Sequence, residues 1–394
     1  MKTAQTIGKA AVLAFGLLVL TAVDGLCQNT SRNKEAVKAF ERGEAFFKGN
    51  EFQKAIEEYT KAIELEPEWA EAFMGRGNAR GWGLDANFEL GQEDYDKAAT
   101  LNPRLSDYAQ AFRYLRDGDY TRAIETFNKV IQNRINLMEA YSTRGNSYNA
   151  IGEFEKAIAD HTEAIRLNPD FSGNYENRAS VYNRMEQFDR AIADCDRAIR
   201  LYPDSFYGYL FRGEAYFWKK NTERALADLN RAIQLNQGHY RPYYYRGSLY
   251  HYDKKDDSRA LADLNQSLRL NPDYSLSLRE RGYVNLDLKN YQEAIDDFTK
   301  YISLSPNPGP VVYNDRGNCY FYLKNYTEAI NNFSEAINLD PNFANAYKNR
   351  GSIYYVVGDY NRALADIEMA LKLDPEDEYF REFRSEIRAR RAAQ

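Results

Sequence analysis

The sequence predicts an all-α fold made of stacked helical hairpins. A phrase recurs about ten times at a spacing of about 34 residues: an aromatic residue, Arg, Gly or Ala, another aromatic residue, and then Ala, an aromatic residue or Leu, Ala and Pro. Within each copy the apolar residues recur every three or four positions, and no segment shows sustained period-two alternation. Self-similarity at this period is typical of arrays in which each unit contacts only its neighbours.

Each copy is expected to hold two amphipathic helices with a short polar break between them. In copy 1 the apolar positions run from Phe40 to Phe47 and from Phe52 to Ile63, and residues 48–50 form the break. The residue before a proline avoids the helical region, so Asn-Pro or Asp-Pro pairs should end the second helix. These pairs are Asn102-Pro103, Asn168-Pro169, Asn271-Pro272, Asp340-Pro341 and Asp374-Pro375.

Small residues occupy one place in each helix of every copy, which lets the paired helices approach closely. In the first helix they are Gly43, Gly77, Ala111, Gly145, Ala179, Gly213, Gly247, Gly282, Gly317 and Gly351. In the second helix they are Ala55, Gly91, Ala123, Ala157, Ala191, Ala225, Ala260, Ala294, Ala329 and Ala363.

This pattern resembles the tetratricopeptide repeat family, whose signature places bulky, small, Tyr, Ala, aromatic, Ala and Pro residues at fixed offsets. The resemblance covers about residues 36–377 and implies a right-handed superhelical α-solenoid. The ten copies are expected at 36–69, 70–103, 104–137, 138–171, 172–205, 206–239, 240–274, 275–309, 310–343 and 344–377. Residues 378–394 should form a C-terminal capping helix. Its Arg-rich end leaves contact with a membrane surface as the alternative.

Arg precedes the small residue in nine copies, and an acid recurs in the second helix of eight. Copy 3 lacks both, with Gln110 and Thr126 in their places. This joint absence predicts that the two series pair, within a copy or between neighbours, although a basic stripe for an acidic ligand is the alternative.

The region from residue 81 to 110 departs from the regular pattern. Copy 2 has about two extra residues between its helices, the link into copy 3 is shorter, and Ile135 replaces the closing proline of copy 3. These changes predict a bend. The nearby glycines Gly75, Gly77, Gly81 and Gly83 lie inside a predicted helix and do not follow a strand, so they indicate a softened helix and not a phosphate loop.

The N-terminus has the pattern of a secretory signal peptide over residues 1–27, followed by a short polar linker over 28–35. Lys2 and Lys9 precede an apolar run from Ala10 to Val23, which is short for a membrane span. The chain is therefore expected in the periplasm or outside the cell. Cys27 follows the apolar run as in bacterial lipoproteins, but Leu26 departs from that pattern, so an outer-membrane lipoprotein is the alternative.

The composition does not point to an enzyme or to a nucleic-acid partner. The formal net charge is −6, and removal of residues 1–27 changes it to about −7, without a basic block to neutralise phosphates. The three histidines, His161, His239 and His251, have no Cys or second His at metal-ligand spacing. Cys195 and Cys319 lie at apolar positions and are expected to be buried free thiols. We expect no catalytic residue, cofactor or metal.

The resemblance places partner binding on the concave surface, which the first helices of the copies line. It would present aromatic patches at both ends and an Asn-rich middle, suited to an extended peptide or a partner helix. The residues implied are Phe40, Phe47, Asn78, Trp82, Tyr108, Phe112, Asn146, Asn149, Glu176, Asn183, Tyr207, Phe217, Trp218, Tyr244, Tyr252, Tyr283, Asn318, Phe321 and Tyr322.

Two functions are compatible with these features. The first is a non-enzymatic scaffold or adaptor that binds a protein partner in the cell envelope. The second is an envelope component that works by self-association. Family members that capture acidic C-termini use Lys and Asn residues over three copies, but Ser142, Tyr207 and Phe211 stand here where cations are needed. A receptor for such acidic tails is therefore not expected.

Overall fold

A computed structural model describes residues 32–81 and 88–393 of the chain. These residues form 21 α-helices and one 3₁₀ turn, Pro103–Leu105, and they contain no strand. The all-helical prediction is confirmed. The predicted signal peptide and Trp82 lie outside the described residues.

The first ten helices fall in copies 1 to 5. They are α1 (Lys34–Lys48), α2 (Phe52–Leu65), α3 (Ala70–Gly81), α4 (Phe88–Leu101), α5 (Ser106–Arg116), α6 (Tyr120–Gln132), α7 (Leu137–Ala150), α8 (Phe154–Leu167), α9 (Ser172–Arg184) and α10 (Phe188–Leu201).

The remaining helices fall in copies 6 to 10 and the C-terminal segment. They are α11 (Phe206–Trp218), α12 (Thr222–Leu235), α13 (Tyr240–Tyr252), α14 (Asp257–Leu270), α15 (Ser275–Asp287), α16 (Tyr291–Leu304), α17 (Pro310–Tyr322), α18 (Tyr326–Leu339), α19 (Ala344–Val356), α20 (Tyr360–Leu373) and α21 (Glu378–Ala392).

The chain forms two compact units, and the boundary lies within α11, between Ala215 and Tyr216. In the first unit each helix from α1 to α10 packs against the next, and in the second unit the helices from α12 to α21 do the same. The last helix buries Phe380, Phe383 and Ile387 against α20 and begins at an Asp377 side chain that accepts a hydrogen bond from the Phe380 amide. It therefore covers the apolar face of copy 10.

The Asn-Pro and Asp-Pro pairs end helices as predicted. Helices α4, α8, α14, α18 and α20 each end at the leucine directly before such a pair. Copy 3 has no proline at its end, and there Arg134 and Asn136 adopt left-handed conformations with φ of 56° and 40°. Two left-handed residues thus supply the chain reversal that Pro helps to supply elsewhere.

The Arg series joins the helices within a copy and also joins neighbouring copies. In copy 8, Arg281 donates from Nε and Nη2 to the Asp297 carboxylate at 2.9 and 2.6 Å, and from Nη1 to Asn265 of copy 7 at 2.7 Å. The same double contact joins Arg76 to Asp94 and Thr60, Arg144 to Asp160 and Asn128, Arg178 to Asp194 and Thr162, Arg246 to Asp263 and Asn230, and Arg350 to Asp366 and Ser334. Arg therefore pairs within its own copy and also bonds to the preceding one.

Candidate functional site

The predicted partner-binding residues do not share one environment. Five are buried: Phe47, Asn78, Tyr108, Asn183 and Tyr244. Nine are half-buried: Phe40, Phe112, Asn149, Glu176, Tyr207, Phe217, Tyr283, Asn318 and Phe321. Four are exposed: Asn146, Trp218, Tyr252 and Tyr322.

The five buried residues do not lie on an open face of this structure, because each is held by its own chain. Asn78 accepts hydrogen bonds through Oδ1 from the hydroxyls of Tyr95 and Tyr108, at 3.1 and 2.8 Å. Asn183 donates to the Phe211 carbonyl at 2.8 Å. The Tyr244 ring packs against Tyr274 with centroids 5.4 Å apart. These side chains stabilise the stack and are not accessible to a partner in this structure.

The three exposed aromatic residues occupy one equivalent position in the second unit. Trp218, Tyr252 and Tyr322 are the last residues of α11, α13 and α17, the first helices of copies 6, 7 and 9. Their exposed fractions are 54%, 46% and 57%. Val356 ends α19 of copy 10 and is equally exposed. We call Trp218, Tyr252, Tyr322 and Val356 the apolar row.

Neighbouring rings restrict the aromatic side chains of the apolar row. Tyr322 stacks on Tyr291 with centroids 4.7 Å apart and planes 12° apart, and Trp218 packs edge-on against Phe217 at 5.2 Å. Tyr252 contacts the buried ring of His251, whose Nδ1 lies 2.8 Å from the Asp257 carboxylate. Restricted aromatic side chains provide contact area at low entropic cost. The apolar row is therefore suited to binding a macromolecule.

Polar groups accompany the apolar row in copies 9 and 10. Asn349 donates to Asn314 at 2.9 Å and to Asn318 at 3.1 Å. Asn318 thus uses its carbonyl within the array, and its exposed side can offer an amide donor to a peptide backbone.

A cavity of about 460 Å³ lies in the first unit, between copies 2, 3 and 4. Two predicted residues, Phe112 and Asn146, line it, and its lining is mainly apolar. Gln92 faces it, but its amide already donates to Asp96 and to the Ala109 carbonyl. The cavity is large enough for an apolar side chain. The other lining residues are Gly81, Gly91, Tyr95, Leu115, Arg116, Tyr120 and Thr143.

A contact between distant copies was not foreseen from the sequence. The turn of copy 1 meets the start of copies 4 and 5, where Phe47 stacks on Phe171 with centroids 5.5 Å apart and planes 13° apart. The Ser172 hydroxyl donates to the side-chain amide oxygen Oδ1 of Asn50 at 3.0 Å, and both residues are buried. An aromatic residue lies two positions after the proline in several copies, as Trp69, Phe171, Tyr274 and Phe343 do, so the repeat pattern could not single out Phe171 for this pairing.

The same contact buries a carboxyl group. Glu139, at the start of α7, is buried beside Glu44 of α1, and burial raises the pKa of Glu139 to about 8, with Glu44 adding to the increase. Lys48 acts in the opposite direction. The other titratable groups that sense Glu139 are the buried phenols of Tyr59, Tyr95 and Tyr108.

Burial also governs the two described cysteines and His161. Cys195 and Cys319 are buried free thiols, as predicted, and burial raises the pKa of Cys319 to about 12. His161 is fully buried, and burial lowers its pKa to about 3. Among the described residues, no cluster of His, Cys, Asp and Glu could hold a metal ion, and none of the helices there is long and apolar enough to cross a membrane.

Comparison with solved structures shows a similar fold. The crystal structure of the APC/C hetero-tetramer Cut9-Hcn1 aligns at 17% identity and a TM-score of 0.54, over 95% of this chain and 82% of that one. A tetratricopeptide repeat protein from Parabacteroides merdae aligns at 21% identity and a TM-score of 0.41, over 64% of this chain and 98% of that one. The Pseudomonas aeruginosa pilF structure aligns at 18% identity and a TM-score of 0.47, over 55% and 97%.

Sequence comparison identifies the repeats directly. Models described as TPR repeat or tetratricopeptide repeat match residues 43–81, 139–171, 176–240, 247–312, 317–358 and 344–377. No curated protein matches the sequence. The repeat models together match more than half of the chain. The chain belongs to the tetratricopeptide repeat family.

Proposed function

We propose that this protein is a non-enzymatic scaffold that binds a protein partner, as an extended peptide or a helix, along the first helices of its copies. Tetratricopeptide repeat proteins generally mediate protein–protein interactions. The observation that carries the proposal for this chain is the apolar row, in which exposed aromatic residues recur at one position of copies 6, 7 and 9. Packing within the array leaves these rings uncovered at the same position of three copies, and recurring exposed aromatic residues are typical of interaction surfaces.

The test compares affinity capture by three baits from the native envelope. One bait is the wild type, the second carries Trp218→Ala, Tyr252→Ala and Tyr322→Ala, and the third carries Tyr379→Ala. Tyr379 is the matched control because its exposed fraction of 53% lies within the range of the row, yet it lies on the capping helix α21.

We expect quantitative mass spectrometry to find a protein retained by the wild type and the control and depleted at least tenfold with the triple variant. Melting temperatures should agree among the three baits, because exposed rings contribute little to packing. Equal retention by all three baits would exclude the apolar row as the binding surface.

Self-association through the apolar row is the second candidate, because the same exposed rings could meet between two copies of the chain. Light scattering of the purified protein separates the two functions. A mass that stays monomeric over a hundredfold dilution contradicts self-association, whereas a concentration-dependent mass that the triple variant abolishes supports it.

We further propose that the protein works in the cell envelope after export. The support is the basic start and short apolar run within residues 1–27. Mass spectrometry of the protein from its native source should show a chain that begins near Leu26 or Gln28. A chain that retains Lys2 and the apolar run would contradict export by a cleaved signal, and a diacylglyceryl group on Cys27 would identify a lipoprotein instead.

A further inference from the structure

The contact between copy 1 and copies 4 and 5 departs from the rule for repeat arrays, in which each unit contacts its neighbours. The Ser172 and Asn50 side chains that bond across it are 122 positions apart in the chain. Copies 2 and 3 lie between them in sequence, so the first unit must curve back over this region.

The side chains in this contact form a small aromatic seat. Phe171 is fully buried between the stacked ring of Phe47 and the edge-on ring of Phe52, whose centroid is 6.3 Å away. Met138 packs against the same cluster. Phe47 therefore occupies a site built by copies 4 and 5.

The turn that enters this seat shares its left-handed conformation with the equivalent turns of other copies and differs from them in its side chain. Asn50 has φ of 61°, and the equivalent residues are Gly118, Gly152, Glu186, Lys220, Lys255, Lys289, Lys324 and Gly358. Asn tolerates this conformation better than most residues other than Gly. At this position the side-chain amide oxygen of Asn50 also accepts the hydrogen bond that the Ser172 hydroxyl donates.

We propose that this contact is a reversible clasp, in which the turn of copy 1 is an internal ligand for a binding surface formed by Met138, Phe171 and Ser172. The surface fits a partner segment that carries a phenylalanine followed three residues later by a carboxamide side chain, as Phe47 and Asn50 are arranged. The clasp lies within the first unit and does not rest on the binding proposed for the apolar row.

The clasp is small compared with the helix pairs that hold each copy to the next. It includes one aromatic cluster and the Ser172–Asn50 hydrogen bond at a turn, and it also buries the Glu139 carboxyl beside Glu44. Burial of that carboxyl opposes closure, so the contact can open while the hairpins stay folded.

Spin labels at Glu51→Cys and Asp170→Cys test the clasp in the full chain. Both residues are exposed and lie one or two positions from the bonded pair. The native Cys195 and Cys319 are buried and should not react, and Cys27 is replaced by Ser. Double electron–electron resonance then measures the distance between the two spin labels.

We expect a short distance in the labelled protein and a longer one when Phe47→Ala is added. Phe154→Ala is the control, because Phe154 is a half-buried phenylalanine outside the aromatic cluster of the seat, with Arg184 over its ring at 4.7 Å. An excess of a synthetic peptide of residues 44–53 should lengthen the distance, and the same peptide with Phe47→Ala should not.

Each other outcome contradicts part of the proposal. A distance that is short in every variant, and unchanged by peptide, means that the contact is a permanent part of the fold. A distance that responds to Phe47→Ala but not to the matching peptide means that the seat does not bind a separate segment. A long distance in the parent protein means that the clasp does not close in solution.

Discussion

A single residue in the second helix of each copy sets how tightly the two helices pack. The ten residues at this position are all buried: Tyr59, Tyr95, Phe127, His161, Cys195, Leu229, Leu264, Phe298, Phe333 and Ile367. In copy 9 a Cβ atom added at Gly317 would lie only 2.7 Å from the Phe333 ring. In copy 4 a Cβ atom added at Gly145 would lie 2.8 Å from His161. A Cβ atom at either glycine would therefore displace the ring that touches the helix backbone.

The His161 ring fills this space, but the part of the chain that the structure describes offers no hydrogen-bond partner to its two ring nitrogens. Both ring nitrogens are buried, and neither has a hydrogen-bond partner among the described residues. A buried polar group without a partner costs about 1–3 kcal/mol of stability. The repeat spacing places His161 at the position that Phe127, Phe298 and Phe333 fill in other copies, but it does not reveal the missing hydrogen bonds.

Replacement of His161 by Phe should stabilise the protein by about 1 kcal/mol at pH 7.5. The gain should increase to about 4 kcal/mol at pH 4.5. The pKa of His161 is about 3 when folded and near 6.5 when unfolded, so the wild type has its full stability above pH 6.5 and loses it as the pH falls. Urea unfolding at the two pH values measures the difference.

The reverse substitution provides the control. Phe333→His places the same imidazole at the equivalent position of copy 9, and it should lower stability and create a new loss in acid. Equal pH dependence of the wild type and the His161→Phe variant would contradict the assignment of the acid-sensitive group.

At the scale of the helices, the Arg series determines how one copy is held to the next. Copy 9 is the informative exception, because Arg316 pairs with neutral Asn332 at 2.8 Å and with Thr299 of copy 8 at 3.0 Å. In copy 8 the partner of Arg281 is the buried carboxylate of Asp297, and burial raises the pKa of Asp297 although Arg281 opposes the increase. The two copies thus share geometry and differ in charge.

Arg281→Met should cost about 2–3 kcal/mol, because it leaves Asp297 buried without its countercharge. Arg316→Met should cost about 1 kcal/mol, since only neutral hydrogen bonds are lost. Urea unfolding of the two variants at pH 7.5 measures these values. Similar losses in both variants would indicate that the Arg stems contribute through packing and not through charge.

The sequence was sufficient for the helices because their signals are local. The proline pairs mark helix ends, and the small residues and their buried partners recur in every copy. The joint absence of Arg and acid in copy 3 predicted the pairing, but the contacts of Arg144 to both Asp160 and Asn128 needed coordinates. Phe47 and Phe171 could not be paired, because a contact over four copies depends on the accumulated rotation of the stack and not on any one repeat.

At the scale of the whole molecule, the two units differ in what they offer a partner. In the first unit, predicted binding residues such as Phe47 and Tyr108 are engaged by their own chain. In the second unit, Trp218, Tyr252 and Tyr322 stay exposed. A partner of the second unit can therefore bind without rearrangement, whereas a partner of the seat in the first unit must displace the turn of copy 1.

The buried Glu139 makes the stability of the first unit dependent on pH. Its pKa is about 8 in the closed structure and near 4.5 when exposed, so closure carries no penalty below pH 4.5. The penalty grows as the pH rises to 8, where it amounts to as much as about 4 kcal/mol. Glu139→Gln should match the wild type near pH 4.5 and melt at a higher temperature at pH 8.

The control for this prediction is Glu64→Gln, which neutralises an exposed glutamate of copy 1. It should leave the pH profile of the melting temperature unchanged. A profile of Glu139→Gln that runs parallel to the wild type would mean that Glu139 keeps an ordinary titration in the folded protein.

Each Arg with this double contact makes one contact within its own copy and one with the preceding copy, and this arrangement affects how the gene could gain or lose whole copies. If a recombination event removed copy 9, residues 310–343, Arg350 would lose the hydroxyl of Ser334 and meet the hydroxyl of Thr299, the group that Arg316 now uses. Its own partner, Asp366, would move with it. The new junction would need no compensating substitution, so duplication and loss of whole copies leave the inter-copy hydrogen bonds intact.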